Sequence, residues 1–239
     1  MITLSKRMET VALMVTKGNR IADIGTDHGY VPIALVERDL VKSAIAMDVR
    51  KGPLSKATEN IRERKLEQKI ETRLSDGLEQ LKEGEADTVI IAGMGGELIA
   101  HILQGGAHVL PQLQELIVQP QSEIYKVREA LHALGWNIAE ERMLIEEGKY
   151  YTVIKAAHGE ERYQNKIEYL YGKKLLEAQD PILKQWLQKE SKINEQLLRK
   201  LEGVSSEAGK ERKRELQEKM DCLKGGMAYY ESERTCKTT

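Results

Sequence analysis

Three carboxylates, Asp23, Asp48 and Asp76, each fall at the end of a short apolar or β-branched run. The first lies in Ala22-Asp23-Ile24-Gly25-Thr26-Asp27-His28-Gly29-Tyr30, a glycine-rich turn between a strand-like and a helix-like segment. Such a turn lets a ligand approach the backbone, and the free N–H groups of the following helix face it. The third glycine of a dinucleotide fingerprint is missing, and no Gly-Lys-Ser/Thr follows as in a phosphate loop. An acid at the head of the turn repels a pyrophosphate and suits a cofactor with an amino group and a sulfonium charge. Asp48, with Val49 beside it, is placed where a carboxylate accepts both hydroxyls of a ribose. Asp76, before Gly77, can accept the exocyclic amine of an adenine. Each feature alone is weak, since Asp-Gly is a common turn and glycine turns abound. Three acids at successive strand ends point together to S-adenosyl-L-methionine.

These residues need a scaffold that brings successive strand ends to one edge. Strand-like runs at 20–24, 44–47, 70–74, 87–92 and 115–118 alternate with helical patterns at 31–38, 53–65, 78–82, 97–103 and 123–134. That alternation predicts right-handed βαβ units and a parallel, doubly wound α/β sheet whose ligands sit at the strands' carboxyl ends. Two further runs, 136–146 and 150–157, joined by Glu146-Glu147-Gly148-Lys149, predict a hairpin that adds an antiparallel edge. From Gly159 the composition turns helical. A helix over 163–178 is expected to stop near Asp180-Pro181. Leu183, Trp186, Ile193, Leu197, Leu201 and Val204, and then Leu216, Met220, Leu223, Met227 and Tyr230, predict an antiparallel coiled-coil hairpin with its loop at 202–209. The expected division is a cofactor-binding domain over 1–158 and a helical coiled-coil domain over 159–239.

Charged residues make up 31% of the chain and formal net charge is −1, so any nucleic-acid contact must come from a local patch. No apolar run approaches the length of a membrane span, and the first 18 residues lack a secretory pattern. Cys222 and Cys236 are too few for a disulfide framework and too far apart for a zinc knuckle. A cytoplasmic protein without membrane contact or metal is expected, with a monomer as the working assumption.

Leu4-Ser5-Lys6-Arg7, the run from Ile21 to Pro32, Ile91-Ala92-Gly93-Met94-Gly95-Gly96-Glu97 and Gln119-Pro120-Gln121 together resemble the bacterial tRNA adenine(22)-N1 methyltransferases, over the whole chain. The resemblance implies a class I methyltransferase domain followed by a coiled-coil domain. It implies methylation of N1 of an adenosine in the D-arm region of tRNA, at position 22. It assigns Asp23, Gly25, Asp27, His28 and Gly29 to the cofactor's methionine end, with Thr26 and Tyr30 also counted as cofactor-binding. Asp48 and Val49 fall to the ribose, and Asp76 and Gly77 to the adenine. Lys6 and Arg7, read as lying just ahead of the first helix, would stand near the cleft mouth and meet RNA.

The fourth strand agrees with that chemistry. Enzymes that methylate an exocyclic amine usually carry a polar residue, two prolines and an aromatic here, whereas this chain has Gly93-Met94-Gly95-Gly96. Adenine N1 is a lone-pair nucleophile with no proton to remove. In-line positioning and tolerance of the new positive charge then suffice. Gly93, Met94 and Gly95 would admit the base edge, and Asp27 would stabilise the cation or, equally, cap the following helix. The target base must be unpaired or flipped, with Tyr30, Met94, Tyr150 and Tyr151 as stacking candidates, the last two more simply half-buried strand residues. Lys210, Arg212, Lys213 and Arg214 form the one dense basic run. It is either a solvated helix face or a phosphate-contacting tip. Alternatives are a methyltransferase for another RNA, DNA or a small molecule, and a non-catalytic scaffold that recruits a partner through the helical tail.

Overall fold

The β-branched runs form β1 (Arg20–Ile24), β2 (Ser43–Asp48), β3 (Ile70–Leu74), β4 (Thr88–Gly95) and β5 (Glu115–Ser122). The hairpin is β6 (Trp136–Glu146) and β7 (Lys149–His158). In this computed structural model, which describes residues 2–204 and 206–231, they make one sheet in the order β3-β2-β1-β4-β5-β7-β6. The first five are parallel, and β7 runs antiparallel to both β5 and β6. Chain order reverses between β1 and β4, so their carboxyl ends open a crevice. The inner parallel strands are buried on both faces, which is why Val89 to Ile91 and Leu116 to Val118 read as continuous apolar runs rather than alternating ones, whereas the edge strand β3 is only partly buried.

Between the strands lie α2 (Tyr30–Glu37), α3 (Lys51–Glu63), α4 (Gly96–Gly105) and α5 (Ile124–Ala133). The first helix, expected just after Lys6 and Arg7 but without bounds, is α1 (Lys6–Met14), capped by the Ser5 hydroxyl on Met8 N–H and burying Val11, Ala12 and Met14. Lys6 and Arg7 therefore form its first turn rather than preceding it. The helix expected at 78–82 is only a set of turns. Ser75 captures the backbone there, its hydroxyl donating to Gly77 C=O and accepting from Gln80 N–H. The Glu147-Gly148 turn has φ of 50° and 74°, the left-handed pair that joins twisted antiparallel strands tightly.

A polar lock closes the edge of the sheet opposite the crevice. Buried Glu115 accepts from Thr16 N–H at 2.8 Å, Thr16 Oγ1 at 2.6 Å and Thr88 Oγ1 at 2.8 Å, and pairs with Lys155 at 2.7 Å. Burial works to raise its pKa, but these partners outweigh it and hold the group below the usual value. Arg20 grips Asp87 through Nε, Nη2 and its own backbone N–H.

The chain divides into two compact units between Arg162 and Tyr163. The second holds α6 (Lys166–Tyr171), α7 (Lys173–Glu177), α8 (Pro181–Lys200) and α9 (Glu207–Ala228). Gly172, at φ 89° and ψ 114°, breaks the single helix expected over 163–178 into α6 and α7. α8 and α9 pair antiparallel: Tyr230 bonds Asp180, Lys219 pairs with Glu190, and Asn194 bonds Leu216. The buried seam on α8 runs through Leu183, Leu187 and Asn194, whereas Ile193 and Leu197, expected inside, are exposed. A buried asparagine hid the true stripe: its Nδ2 donates to Leu216 C=O, a partner that the sequence pattern does not reveal. Cys236 lies outside the described residues.

Candidate active site

The carboxyl ends of β1, β2 and β4, with the segment after β3, surround a cleft of about 490 Å³. A smaller chamber of about 240 Å³ adjoins it and shares Arg7, Met8, Gly25, Asp27 and Ala92 with it. The turn after β1 is tied to β2, since Gly25 N–H and Thr26 N–H both donate to Met47 C=O. Gly25 has φ 73°, and a Cβ there would stand 2.0 Å from Met94 Cε. Glycine thus keeps the floor between β1 and β4 open.

All three strand-end acids reach these spaces. Asp48 is buried, lines the cleft and accepts from Arg50 N–H at 2.7 Å. Asp76 and Gly77 line the far end, beyond Val49 and Leu98, whose exposed apolar side chains rim the opening. Asp23 lines the chamber. Burial lifts its pKa from 3.8 to about 6; the Thr26 hydroxyl opposes that rise and the charge of Asp48 adds to it. Two buried carboxylates, Asp23 and Asp48, and the exposed Asp76 at one cleft and its chamber, with apolar rims and glycine floors, fit an adenosine-bearing cation.

Other expected residues divide. Asp27 lines both spaces, and its side chain is 83% exposed. It does not cap α2: the N-cap is Gly29, with no side-chain bond. Tyr30 lines the chamber, and His28, at φ 59°, stacks on it with ring centres 5.2 Å apart. His28, Thr26 and Gly29 line neither space. Thr26 is buried, and Gly29 (φ 70°) packs so close to Ala57 that its glycine serves the fold. Gly93 and Met94 line the cleft, on a bulge of β4 where pairing with β5 shifts register. Gly95 does not line it and instead faces Ser122.

Arg7 lines both spaces. Its Nη1 donates to Gln119 Oε1 at 2.6 Å, and its guanidinium lies 5.3 Å from the centre of the Tyr151 ring. Lys6 instead turns to β6, donating to Ile145 C=O. Lys210, Arg212, Lys213 and Arg214 lie on α9 in the second unit. Three of them pair along the helix with Glu207, Glu215 and Glu211. Met8, Arg50, Ser75, Gln121 and the chain at Thr3 to Ser5 also line the site and were not anticipated. Leu4, Ser5 and Gln121 carried a signal, in the Leu4-Ser5-Lys6-Arg7 and Gln119-Pro120-Gln121 stretches. Among the described residues, no His, Cys, Asp and Glu cluster could hold a metal, and no helix is long and apolar enough to cross a membrane.

Residues 4–154 match the methyltransferase domain family. The tRNA (adenine(22)-N(1))-methyltransferase of Bacillus subtilis is 36% identical over 232 residues, covering 93% of this chain and 96% of that one. The crystal structure of the B. subtilis m1A22 tRNA methyltransferase TrmK superposes with a TM-score of 0.86 at 32% identity, over 95% of this chain and 100% of its own. A Streptococcus pneumoniae structure in complex with S-adenosyl-L-methionine gives 0.83 at 35% identity, over 94% and 100%. With the motifs in order at the switch point of the sheet and likeness extending through the helical unit, this chain belongs to the tRNA (adenine(22)-N(1))-methyltransferase family.

Proposed function

We propose that this protein transfers a methyl group from S-adenosyl-L-methionine to N1 of the adenosine at position 22 of tRNA. The observation that carries the reading is the cleft with its adjoining chamber: Asp48, Asp76 and the glycine bulge on β4 line the one, and Asp23 lines the other. The B. subtilis relative bears that activity in its name, and the S. pneumoniae structure holds that cofactor.

When bound, the cofactor supplies an activated methyl group on a sulfonium. Asp48 would hold the ribose hydroxyls and Asp76 the adenine amine, while Val49 and Leu98 cover the ring faces. Gly93 and Met94 leave the approach to the methyl group narrow but unblocked for the edge of a flipped base. No general base is required, because N1 attacks through its lone pair. The positive charge that develops on the ring is met by Asp27, which stands at the junction of the two spaces. A carboxylate there stabilises the developing charge through its own negative charge. Lys6 and the α9 cations are assigned to phosphates of the tRNA. Residues 1–158 would then do the chemistry while 159–239, as a coiled-coil hairpin, help to hold the RNA in the cytoplasm.

Purified protein, S-adenosyl-L-methionine and unmodified tRNA provide the test, followed by digestion to nucleosides. The expected product is 1-methyladenosine, lost when adenosine 22 is replaced in the tRNA. A different methylated nucleoside, or none despite cofactor binding, would overturn the substrate assignment.

A further inference from the structure

Two irregularities oppose each other where β4 and β5 reach the cleft. Ala92 pairs with Gln119, Met94 with Pro120 and Gly95 with Ser122, so β4 carries one residue too many at Gly93 and β5 one too many at Gln121. Bulges re-aim side chains, and both of these extra residues line the cleft, whereas Gln119, Pro120, Gly95 and Ser122 do not. A Cβ on Gly93 would lie 4.0 Å from Gln121 Nε2, so the amide stands beside the bare backbone of β4. The two glutamines of β5 are also used differently. Gln119 is buried and engaged at both ends, accepting from Arg7 Nη1 and donating to Pro120 C=O. Gln121 is exposed, and its side-chain amide makes no hydrogen bond among the described residues. The other neutral polar side chain of the cleft, Ser75, already bonds Gly77 C=O and Gln80 N–H. Gln121 therefore presents a free donor and a free acceptor side by side, at the place where the edge of a base would enter.

A side-chain amide matches adenine at N6 and N7, where one proton is offered and one accepted, whereas guanine presents two acceptors there, O6 and N7. The Watson–Crick edge is closed to such a pair, because it would engage the N1 lone pair that has to attack the methyl group. We propose that Gln121 selects adenine for methylation, its Oε1 accepting from the N6 amine and its Nε2 donating to N7, so that N1 stays uncovered. This rests on the methyltransferase reading above. It gives the opposed bulges one purpose: Gly93 makes room for the flipped ring, and Gln121 holds the edge that does not react.

Methylation of two tRNAs by the full chain tests it, one with adenosine at position 22 and one with 7-deazaadenosine there, which keeps N1 and N6 but lacks the N7 acceptor. The readout is the ratio of kcat/KM for the two tRNAs within each variant, so neither a general loss of activity nor the analogue's own N1 reactivity imitates the effect. Gln121→Ala should lower the wild-type preference for adenosine by about five- to a hundred-fold, the range of one good base contact. Gln121→Glu, whose carboxylate accepts from N6 but repels the N7 lone pair, should shift the ratio further towards the deaza base. Affinity for S-adenosylhomocysteine, measured by calorimetry, should stay at the wild-type value in both variants. The same ratio in wild type and Gln121→Ala would overturn the proposal. A fall in S-adenosylhomocysteine affinity that accounts for the lost activity would overturn it too, by making Gln121 a cofactor residue. Inactivity of wild type on the adenosine-22 tRNA would instead sink the methyltransferase reading on which it depends.

Discussion

At the scale of single residues, burial is what makes two of the site's acids, Asp23 and Asp48, distinctive. Asp23 has a folded-state pKa of about 6 against an ordinary 3.8. Between these values the folded chain holds a proton that the unfolded chain has released, so stability falls as pH rises through this window. Asp23→Asn removes the penalty. In thermal melts the variant should exceed wild type at pH 8 by up to on the order of 3 kcal/mol, with the gap closing towards pH 4. A gap that does not change with pH would show that the carboxyl is not the cause. The same variant should bind S-adenosylhomocysteine more weakly at pH 8, since a charge facing the ligand's ammonium is gone. Asp48→Ala is expected to weaken cofactor binding at least about tenfold, as a buried group bonding a ligand is worth roughly 1.5–3 kcal/mol; unchanged affinity by calorimetry would remove Asp48 from the site. These acids were legible because each ends an apolar run. Arg50, Ser75 and Met8 were not, because nothing in residue type marks a side chain that reaches a cleft only through the fold.

Among the elements, the two edges of the sheet divide stability from function. Glu115, Thr88, Arg20 and Asp87 lock the edge away from the crevice, while the crevice edge is built of glycine turns and a bulge. Three neighbouring glycines there do different work. Gly93 has φ 80°, and a Cβ there would meet Arg7 Nη1 at 3.5 Å and Gln121 Nε2 at 4.0 Å, so Gly93→Ala should cost about 1–2 kcal/mol of backbone strain without a clash. Gly95→Ala meets only the Ser122 hydroxyl at 3.3 Å and should cost less than about 1 kcal/mol. Gly96→Ala would drive a methyl into the Ser122 and Glu123 carbonyls at 2.6 and 2.4 Å. It should be the most damaging of the three, separating α4 from the end of β5. Urea midpoints for the three variants check the order, and a Gly95 variant worse than Gly96 would contradict the packing. The sheet was readable from β-branched periodicity and the hairpin from its turn. The bounds of α1 were not, although Ser5 is a good cap, because a helix this short that buries only Val11, Ala12 and Met14 leaves a faint stripe. The turns at 76–80 and the break at Gly172 are tertiary outcomes. Leu78 and Leu81 are buried at helical-looking spacing without making a helix.

For the whole molecule, charge has to do what overall composition does not, since a net charge of −1 attracts no polyanion. RNA affinity must then depend on a few placed cations, and the α9 run is the densest group. Lys210, Arg212 and Arg214 each share their charge with a glutamate on the same helix, whereas Lys213 has no ion pair among the described residues. A charge already paired releases fewer counterions from RNA than a free one. Replacing all four by Ala should therefore weaken tRNA binding and flatten the log-affinity against log-salt plot by about 0.7–0.9 for each phosphate no longer neutralised. Lys213→Ala alone should account for more of that change than any other single replacement. Cofactor affinity should not move, because these residues belong to a different unit from the cleft. An unaltered salt slope in the quadruple variant, measured by filter binding across salt concentrations, would return the run to an ordinary solvated helix face. RNA attraction would then have to come from cations of the first unit, with Lys6 and Arg50 the next to be replaced.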